Sequence, residues 1–384
     1  MIPTACLFGT YDRRHSANRL LRLALTNAGF PVVECHEPLW EETRDKGRGY
    51  FGAPSLARLA MRYAAASRRL VARWRAMRGP AFVVVGFGGQ LDVLLARRFC
   101  RPRVGLVFAP LVSLSETLVE DRGVFPAGGV RARLLGRLDR ATLAGADLVL
   151  TDTTAHAGYL AELGTPRERI AVWHLGAEPE FMAPLPRAPV PRRVLFYGRH
   201  LPLHGIDTIV GAAARLGDAA DVVLIGDGPE RAHAETLALE KKARIEWRPD
   251  VPLAALADEL AAASVALGVF GAGRKAAMVV PNKVYQAAAS GCPLVTRDGP
   301  ALREVLRPDE QCVVCPPADP DALAAAIRRL LDDRALAERV GRAARAHVLG
   351  DFSPSRQAER LAMLLAERLG VGVPVQRAPQ AADG

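Results

Sequence analysis

The stretch Phe270-Gly-Ala-Gly-Arg-Lys-Ala-Ala-Met-Val-Val-Pro-Asn-Lys-Val-Tyr-Gln-Ala-Ala-Ala-Ser-Gly291 decides how the chain is read. It leaves a run of strand-forming residues, Val265–Val269, crosses a Gly-rich basic loop and enters a helix near Pro281 that stops at Gly291. Pro293 then leads into a further strand, Leu294–Thr296. A strand, a loop and a helix in that order form the ligand-binding corner of a doubly wound sheet, where backbone N–H groups and the helix dipole favour phosphate. Arg274, Lys275 and Lys283 add side-chain charge at the same corner.

The same rhythm runs outward in both directions. Upstream, strands are expected at Arg193–Tyr197, Asp221–Ile225 and Arg244–Trp247, with helices at Asp207–Leu216 and Leu253–Ala262. Downstream come a helix near Ala301–Leu306, the strand Gln311–Cys315 and a helix from Pro320 to about Asp332. The first half repeats the pattern. Strands are expected at Thr4–Phe8, Pro31–Glu34, Phe82–Val85, Val104–Phe108, Leu148–Thr151 and Ile170–Trp173, and helices at Asn18–Ala28, Pro54–Met77, Asp92–Phe99 and Leu134–Ala144. Between the halves, five prolines from Pro179 to Pro191 mark a linker. The expectation is two Rossmann-like α/β domains facing a cleft, over 1–175 and 193–350, joined by a linker over 176–192. A last helix at 351–369 and a tail over 370–384 follow, with its polar end Arg377–Gly384 expected to be disordered.

Composition narrows the function classes. The chain has 384 residues, 50% of them hydrophobic, and a formal net charge of +10. No apolar run approaches a membrane span, and the first residues read as a strand and not as a signal peptide, so a cytoplasmic protein is expected. Ten basic residues and one acid lie between Arg44 and Arg78, so the basic excess is local. The helix Pro54–Met77 reads either as an anionic-membrane surface or as an ordinary packed helix with an Arg-rich solvent face. The pattern lacks a zinc finger and aromatic residues spaced for base stacking, so nucleic acid is not expected as a partner. Cys312 and Cys315 form a C-x-x-C pair without further ligands in range, which suits buried thiols and not a metal site. No Walker, H-E-x-x-H or G-x-S-x-G pattern occurs.

Candidate site residues follow from the topology. At the ends of second-half strands stand Gly198, Arg199 and Gly226, beside Lys275 and Lys283 of the quoted stretch. In the first half, the loop Gly9–His15, with Gly9, Thr10 and His15, faces the cleft or is a solvated basic loop. Gly86-Phe-Gly-Gly-Gln90 is a weak phosphate signal or a tight turn. Glu116, Glu120 and Asp121 form the best acidic cluster, able to supply a general base or to sit on a solvated helix end.

Here a resemblance enters. Leu195-Phe-Tyr-Gly-Arg-His-Leu-Pro-Leu-His-Gly-Ile-Asp207, Val223-Leu-Ile-Gly-Asp-Gly-Pro229, Val280-Pro-Asn-Lys-Val-Tyr-Gln-Ala-Ala-Ala-Ser-Gly-Cys-Pro-Leu-Val295 and Pro317–Leu323 resemble family-four, GT-B-fold retaining glycosyltransferases. The likeness is close over about 190–335 and looser before it, and points to a subgroup with a P-N-K-V-Y-Q signature. It implies metal-independent transfer from a nucleoside diphosphate sugar as co-substrate, without a bound cofactor, to a sugar or lipid-linked acceptor. It also implies that the final helix crosses back to the first domain. Arg199 matches the family's diphosphate-binding Arg. The resemblance also puts Asn282, Lys283 and Gln286, on or near one helical turn, in the donor half of the site. The family's Lys before the Gly of the first loop is His204 here, and its paired glutamates are Met278 and Gln286. Those departures leave a catalytically inactive nucleotide-sugar-binding protein as the alternative reading. An epimerase of the same fold would need carboxylates on the sugar that the pattern does not place.

Overall fold

The computed structural model describes residues 2–41, 53–100, 104–183 and 189–374. In the first domain, β1 (Ala5–Gly9), α1 (Ser16–Asn27), β2 (Val32–His36), α2 (Ala53–Ala76), β3 (Phe82–Val85), α3 (Gln90–Phe99), β4 (Gly105–Phe108), α4 (Val130–Gly145), β5 (Leu148–Thr151), α5 (Thr154–Glu162) and β6 (Ile170–Val172) alternate. The second domain runs β7 (Arg193–Tyr197), α6 (Ile206–Leu216), β8 (Asp221–Ile225), α7 (Arg231–Glu240), β9 (Ile245–Arg248), α8 (Leu253–Ala262), β10 (Val265–Leu267), α9 (Arg274–Met278), α10 (Asn282–Ala289), β11 (Leu294–Arg297), α11 (Pro300–Arg303), β12 (Val313–Cys315), α12 (Pro320–Asp332) and α13 (Arg334–Asp351). The chain then enters α14 (Pro354–Leu369).

Each domain is one six-stranded sheet, β2-β1-β3-β4-β5-β6 and β12-β11-β10-β7-β8-β9, with every described strand pairing parallel. Apart from β2 and β9 at the sheet edges, which are polar in part and only partly buried, the strands are short, mainly apolar and buried, as parallel strands covered by helices must be. Strand order reverses between β1 and β3 in the first sheet and between β7 and β10 in the second. Ligand crevices open at such reversals, at the carboxyl ends of the strands. In the second domain, the quoted Gly-rich stretch lies at that reversal.

The last helix returns to the first domain. Ser353 caps α14, Pro354 starts it and Gly370 ends it in the left-handed region. Its buried Ala358, Leu361, Ala362 and Leu365 share an apolar cluster with Leu20, Leu21 and Leu25 of α1 and with Trp173. Each fully buried leucine there contributes roughly 2 kcal/mol.

Several expectations shift. The linker is partly core: Ala177 and Phe181 are buried with the second domain's residues, and Pro179–Phe181 is a short 3-10 turn. Residues 184–188 of the linker, Arg44, Lys46 and Arg48 of the basic run, and 375–384 of the tail lie outside the described residues. The helices α5, α7 and α13 were not expected, and Arg274–Met278, read as loop, makes a single helical turn.

Candidate active site

The donor-side crevice is built from strand ends that touch backbone to backbone. Gly198 donates its N–H to Ile225 O at 2.9 Å. Gly226 has φ +127°, and a Cβ there would strike the carbonyl of Gly198. Only glycine fits both constraints, so the β7 and β8 loops lie close enough to form one concave wall. Arg199 projects from this wall with its side chain exposed.

His204 and Lys283 lie behind it. The imidazole Nδ1 of His204 bonds the carbonyl of Arg199, which can only accept, so Nδ1 carries the proton and Nε2 the lone pair. Burial, and then the charge of Lys283, hold His204 well below the ordinary histidine range. It is a neutral ring. The cation that acts most strongly on it is Lys283, on the first turn of α10. Its side chain is 6% exposed, its ammonium lies 3.8 Å from the centre of the Phe196 ring, and Nζ has no hydrogen-bond partner. A Cβ built on Gly198 would stand 3.4 Å from Nζ, so the ammonium borders the strand-end loop directly. Burial drives its pKa well below the ordinary lysine range. Keeping this amine charged against ring faces without an anion is expensive, so a ligand of opposite charge is what would hold it as an ammonium. Asn282 begins the same helix, half-buried, and its first-turn N–H groups have no partner within the helix.

Gln286 faces the other way. It donates from Nε2 to Glu178 Oε2 at 2.8 Å and accepts at Oε1 from the Tyr197 hydroxyl at 3.0 Å. All three groups are buried. The structure thus ties Gln286 to the start of the linker. Lys275 also turns from the donor loops: its Nζ donates to Thr117 Oγ1 of the first domain at 2.8 Å and stands 3.8 Å from Asp121 Oδ2.

On the acceptor side, Gly9 and Thr10 close β1 at the first domain's reversal. Asp92 at the start of α3 accepts from Thr10 N at 2.7 Å and Thr10 Oγ1 at 2.9 Å. Gly9, φ +129°, leaves room for that carboxylate. Burial raises the Asp92 carboxyl from 3.8 to about 6, with the Thr10 hydrogen bonds pulling the other way. His15 caps α1, accepting from Ala17 N at 3.3 Å, and stacks on Phe87 at 4.0 Å. The loop Gly86–Gln90 is a tight turn filled by the Asn18 amide, which accepts from Phe87 N at 2.8 Å.

The acidic cluster divides. Glu116–Asp121 forms a π-helical turn. Glu120 is exposed and accepts from the Tyr159 hydroxyl at 3.3 Å, whereas Glu116 is fully buried and Asp121 faces Lys275. The structure therefore brings together Gly198, Arg199, His204, Gly226, Asn282 and Lys283 as one crevice. Lys275 joins the acidic turn, and Gln286 belongs to a third cluster. Sequence reasoning missed Asp92, Asp152, His156, Glu178 and Glu304. Each has a partner far along the chain that no local spacing reveals, Thr10 for Asp92, Val280 for Asp152, Glu116 for His156, Gln286 for Glu178 and Thr154 for Glu304; the i,i+4 spacing of Asp152 and His156 is the one local signal that could have found a pair of them. Among the described residues, no group of three or more His, Cys, Asp or Glu is arranged to hold a metal ion, and no helix is long and apolar enough to cross a membrane.

Residues 191–333 match the family described as glycosyl transferases group 1. Glycogen synthase of Mycobacterium tuberculosis H37Rv is 41% identical over 95 residues, 24% of this chain and 23% of that one. D-inositol 3-phosphate glycosyltransferase of Acidothermus cellulolyticus is 29% identical over 319 residues, 73% of this chain and 66% of that one. The chain thus spans about a quarter of the length of the glycogen synthases it matches. Among solved structures, sucrose-phosphate synthase from Thermosynechococcus elongatus superposes with a TM-score of 0.75 at 18% identity, covering 97% of this chain and all of that one. Anabaena HepE, solved in complex with UDP and glucose, gives 0.68 at 14% identity, covering 95% and 99%. The architecture is the GT-B fold.

Proposed function

We propose that the protein is a glycosyltransferase that moves a sugar from a nucleoside diphosphate sugar to a sugar or lipid-linked acceptor with retention at the anomeric carbon. The observation that carries this reading is Lys283: a buried, unpartnered ammonium at the reversal of the second sheet, bordering Gly198 and one helical start. The family match over 191–333 supports it.

In this reading the diphosphate lies against the Gly198–Gly226 wall. Arg199 clamps it from the exposed side, Lys283 from beneath, and the first N–H groups of α10 complete the cradle. As the bond from the anomeric carbon to the phosphate oxygen breaks, charge grows on that oxygen, and these fixed groups stabilise it in place of a metal ion. The acceptor oxygen bonds the anomeric carbon from the same face, and its proton passes to the departing phosphate. His204, neutral, shapes the loop and leaves the positive charge to Lys283.

The acceptor is proposed to be presented at an anionic membrane. On α2, Arg58, Arg62 and Arg68 are exposed, with Leu56 and Met61 beside them. Arg69 and Arg73 are spent on Glu37, at 2.6 and 3.0 Å. Replacing Arg58, Met61 and Arg68 together with Ser is expected to abolish salt-sensitive binding to phosphatidylglycerol vesicles. Equal binding by variant and wild type would sink the membrane reading.

The donor reading is tested by thermal unfolding against uridine, guanosine, adenosine and thymidine diphosphates, uridine first because HepE was solved with UDP. A bound diphosphate at ~100 Kd is expected to stabilise by about 2.7 kcal/mol. No response to any of the four would refute the assignment. A diphosphate that binds while no nucleotide sugar is turned over would favour the inactive alternative.

A further inference from the structure

A second set of buried charges lies between the domains, and the transfer chemistry above does not use it. Lys275, 7% exposed, leaves α9 of the second domain and ends at the first domain's π-helical turn, on Thr117 Oγ1 at 2.8 Å and 3.8 Å from Asp121 Oδ2. Glu116 of the same turn is fully buried. Its Oε2 accepts from Ser113 N at 3.3 Å and stands 3.7 Å from His156 Nε2. His156 in turn sets Nδ1 against Thr151 Oγ1 at 2.9 Å and Asp152 Oδ1 at 3.1 Å. The other oxygen of Asp152 crosses back, accepting from Val280 N at 3.4 Å, and the Thr153 hydroxyl donates to the carbonyl of Met278. Contact also runs in the opposite sense. Glu304 of the second domain accepts from Thr154 N at 2.7 Å and Ala155 N at 3.2 Å, the free N–H groups that open α5.

Met278 explains itself in this setting. It is 6% exposed and belongs to the first domain's apolar cluster with Tyr159 and Leu160. A glutamate there would bring a further carboxylate to an interface that already holds Glu116, Asp121 and Asp152. The position where the resemblance places a glutamate is used here for packing across the cleft.

We infer that α9 is a closure bolt: Lys275 and Met278 set the register in which the second domain closes on the first, and Lys275 is a positioning residue and not a ligand of the donor phosphates. The inference rests on the transferase reading only for what closure serves. α10, with Lys283 on its first turn, begins four residues after Met278, so fixing α9 fixes the donor cradle against the acceptor side. An interface of paired charges suits repeated opening, because each group separated from its partner regains water.

The test uses the full chain, with amide hydrogen exchange as one readout and UDP calorimetry as the other. Lys275→Met is expected to raise exchange about tenfold in peptides covering residues 113–122 and 153–158, with the strand Asp221–Ile225 unchanged. UDP affinity is expected to stay within about twofold of wild type, while Lys283→Met loses it. Lys275→Arg should restore protection at both peptides. Should Lys275→Met fail to fold, Thr117→Val removes the same hydrogen bond with less disturbance. Unchanged exchange at 113–122, or a fall in UDP affinity matching that of Lys283→Met, overturns the inference. If wild type binds no UDP, the exchange result still decides the bolt, and that failure counts against the donor reading alone.

Discussion

Lys283→Met should move stability and binding in opposite directions. In the ligand-free protein the ammonium is buried against Phe196 without a hydrogen-bond partner. Methionine has nearly the same length, fills the same space and makes a favourable sulfur–ring contact. Removing buried charge in favour of a packed apolar side chain commonly stabilises by about 1–4 kcal/mol. The sign with pH follows from the depressed lysine. The unfolded chain binds more protons than the folded one, so wild-type stability rises with pH toward the unfolded lysine value near ~10.4 and falls as pH drops through the native one. The advantage of the variant is therefore expected to be greatest in mild acid and to fade in alkali. Binding should go the other way. Losing one charged hydrogen bond to a phosphate costs about 1.5–3 kcal/mol, or roughly 10- to 150-fold in Kd. Differential scanning calorimetry across pH without ligand, with titration calorimetry of the diphosphate that stabilises wild type, reads both terms. A variant that is less stable without ligand and binds the diphosphate normally would make Lys283 a structural post against Phe196 and refute the reasoning.

Three further outcomes follow from the same geometry. Asp92→Asn should remove a pH dependence: the native carboxyl, raised by burial from 3.8 to about 6, holds a proton that the unfolded chain has lost, so wild-type stability falls as pH rises through that window. The Asn variant, measured by urea unfolding, should match wild type near pH ~4 and exceed it by about 2–3 kcal/mol near pH ~8. Gly226→Ala forces a Cβ onto the Gly198 carbonyl at φ +127° and is expected to cost ~3 kcal/mol or more and to abolish nucleotide binding; wild-type affinity in this variant would contradict the account of the wall. Met278→Glu, which writes the family's carboxylate back into the sequence, should lower stability by ~3–5 kcal/mol and not raise activity, read by thermal unfolding and by donor turnover.

Much of the fold was legible because parallel strands buried on both faces leave nearly unbroken runs of Val, Leu and Ile, as in Val222–Ile225 and Phe82–Val85. Helices were harder where the buried stripe is made of alanine. In α7, Ala234 and Ala238 are the buried residues, and in α13 alanines and Gly341 share the stripe with Leu336, Val340 and Val348, so the periodic contrast between faces is weak. The donor corner could be read because its parts are local: a strand end, a glycine, a helix start. The distribution of charge between His204 and Lys283 could not, since it depends on a ring nitrogen meeting the Arg199 carbonyl and on Phe196 beneath the ammonium. Nor could the destination of Lys275. It stands among the basic residues of the quoted stretch, yet its partner Thr117 is 158 positions away, and only the docking of two domains sets that distance.

The return of α14 to the first domain has a consequence for how the chain is made. The groove lined by Leu20, Leu21, Leu25 and Trp173 is closed by Leu361 and Leu365. During synthesis at ~5–20 residues per second, the ribosome finishes the first sheet roughly 10–40 seconds before it supplies that cover. Through that interval the nascent first domain exposes an apolar trough, while the second domain, whose sheet draws on residues 193–315, can fold beneath its own helices. The domain begun first is thus the one completed last, and the trough is where a chaperone would meet the growing chain.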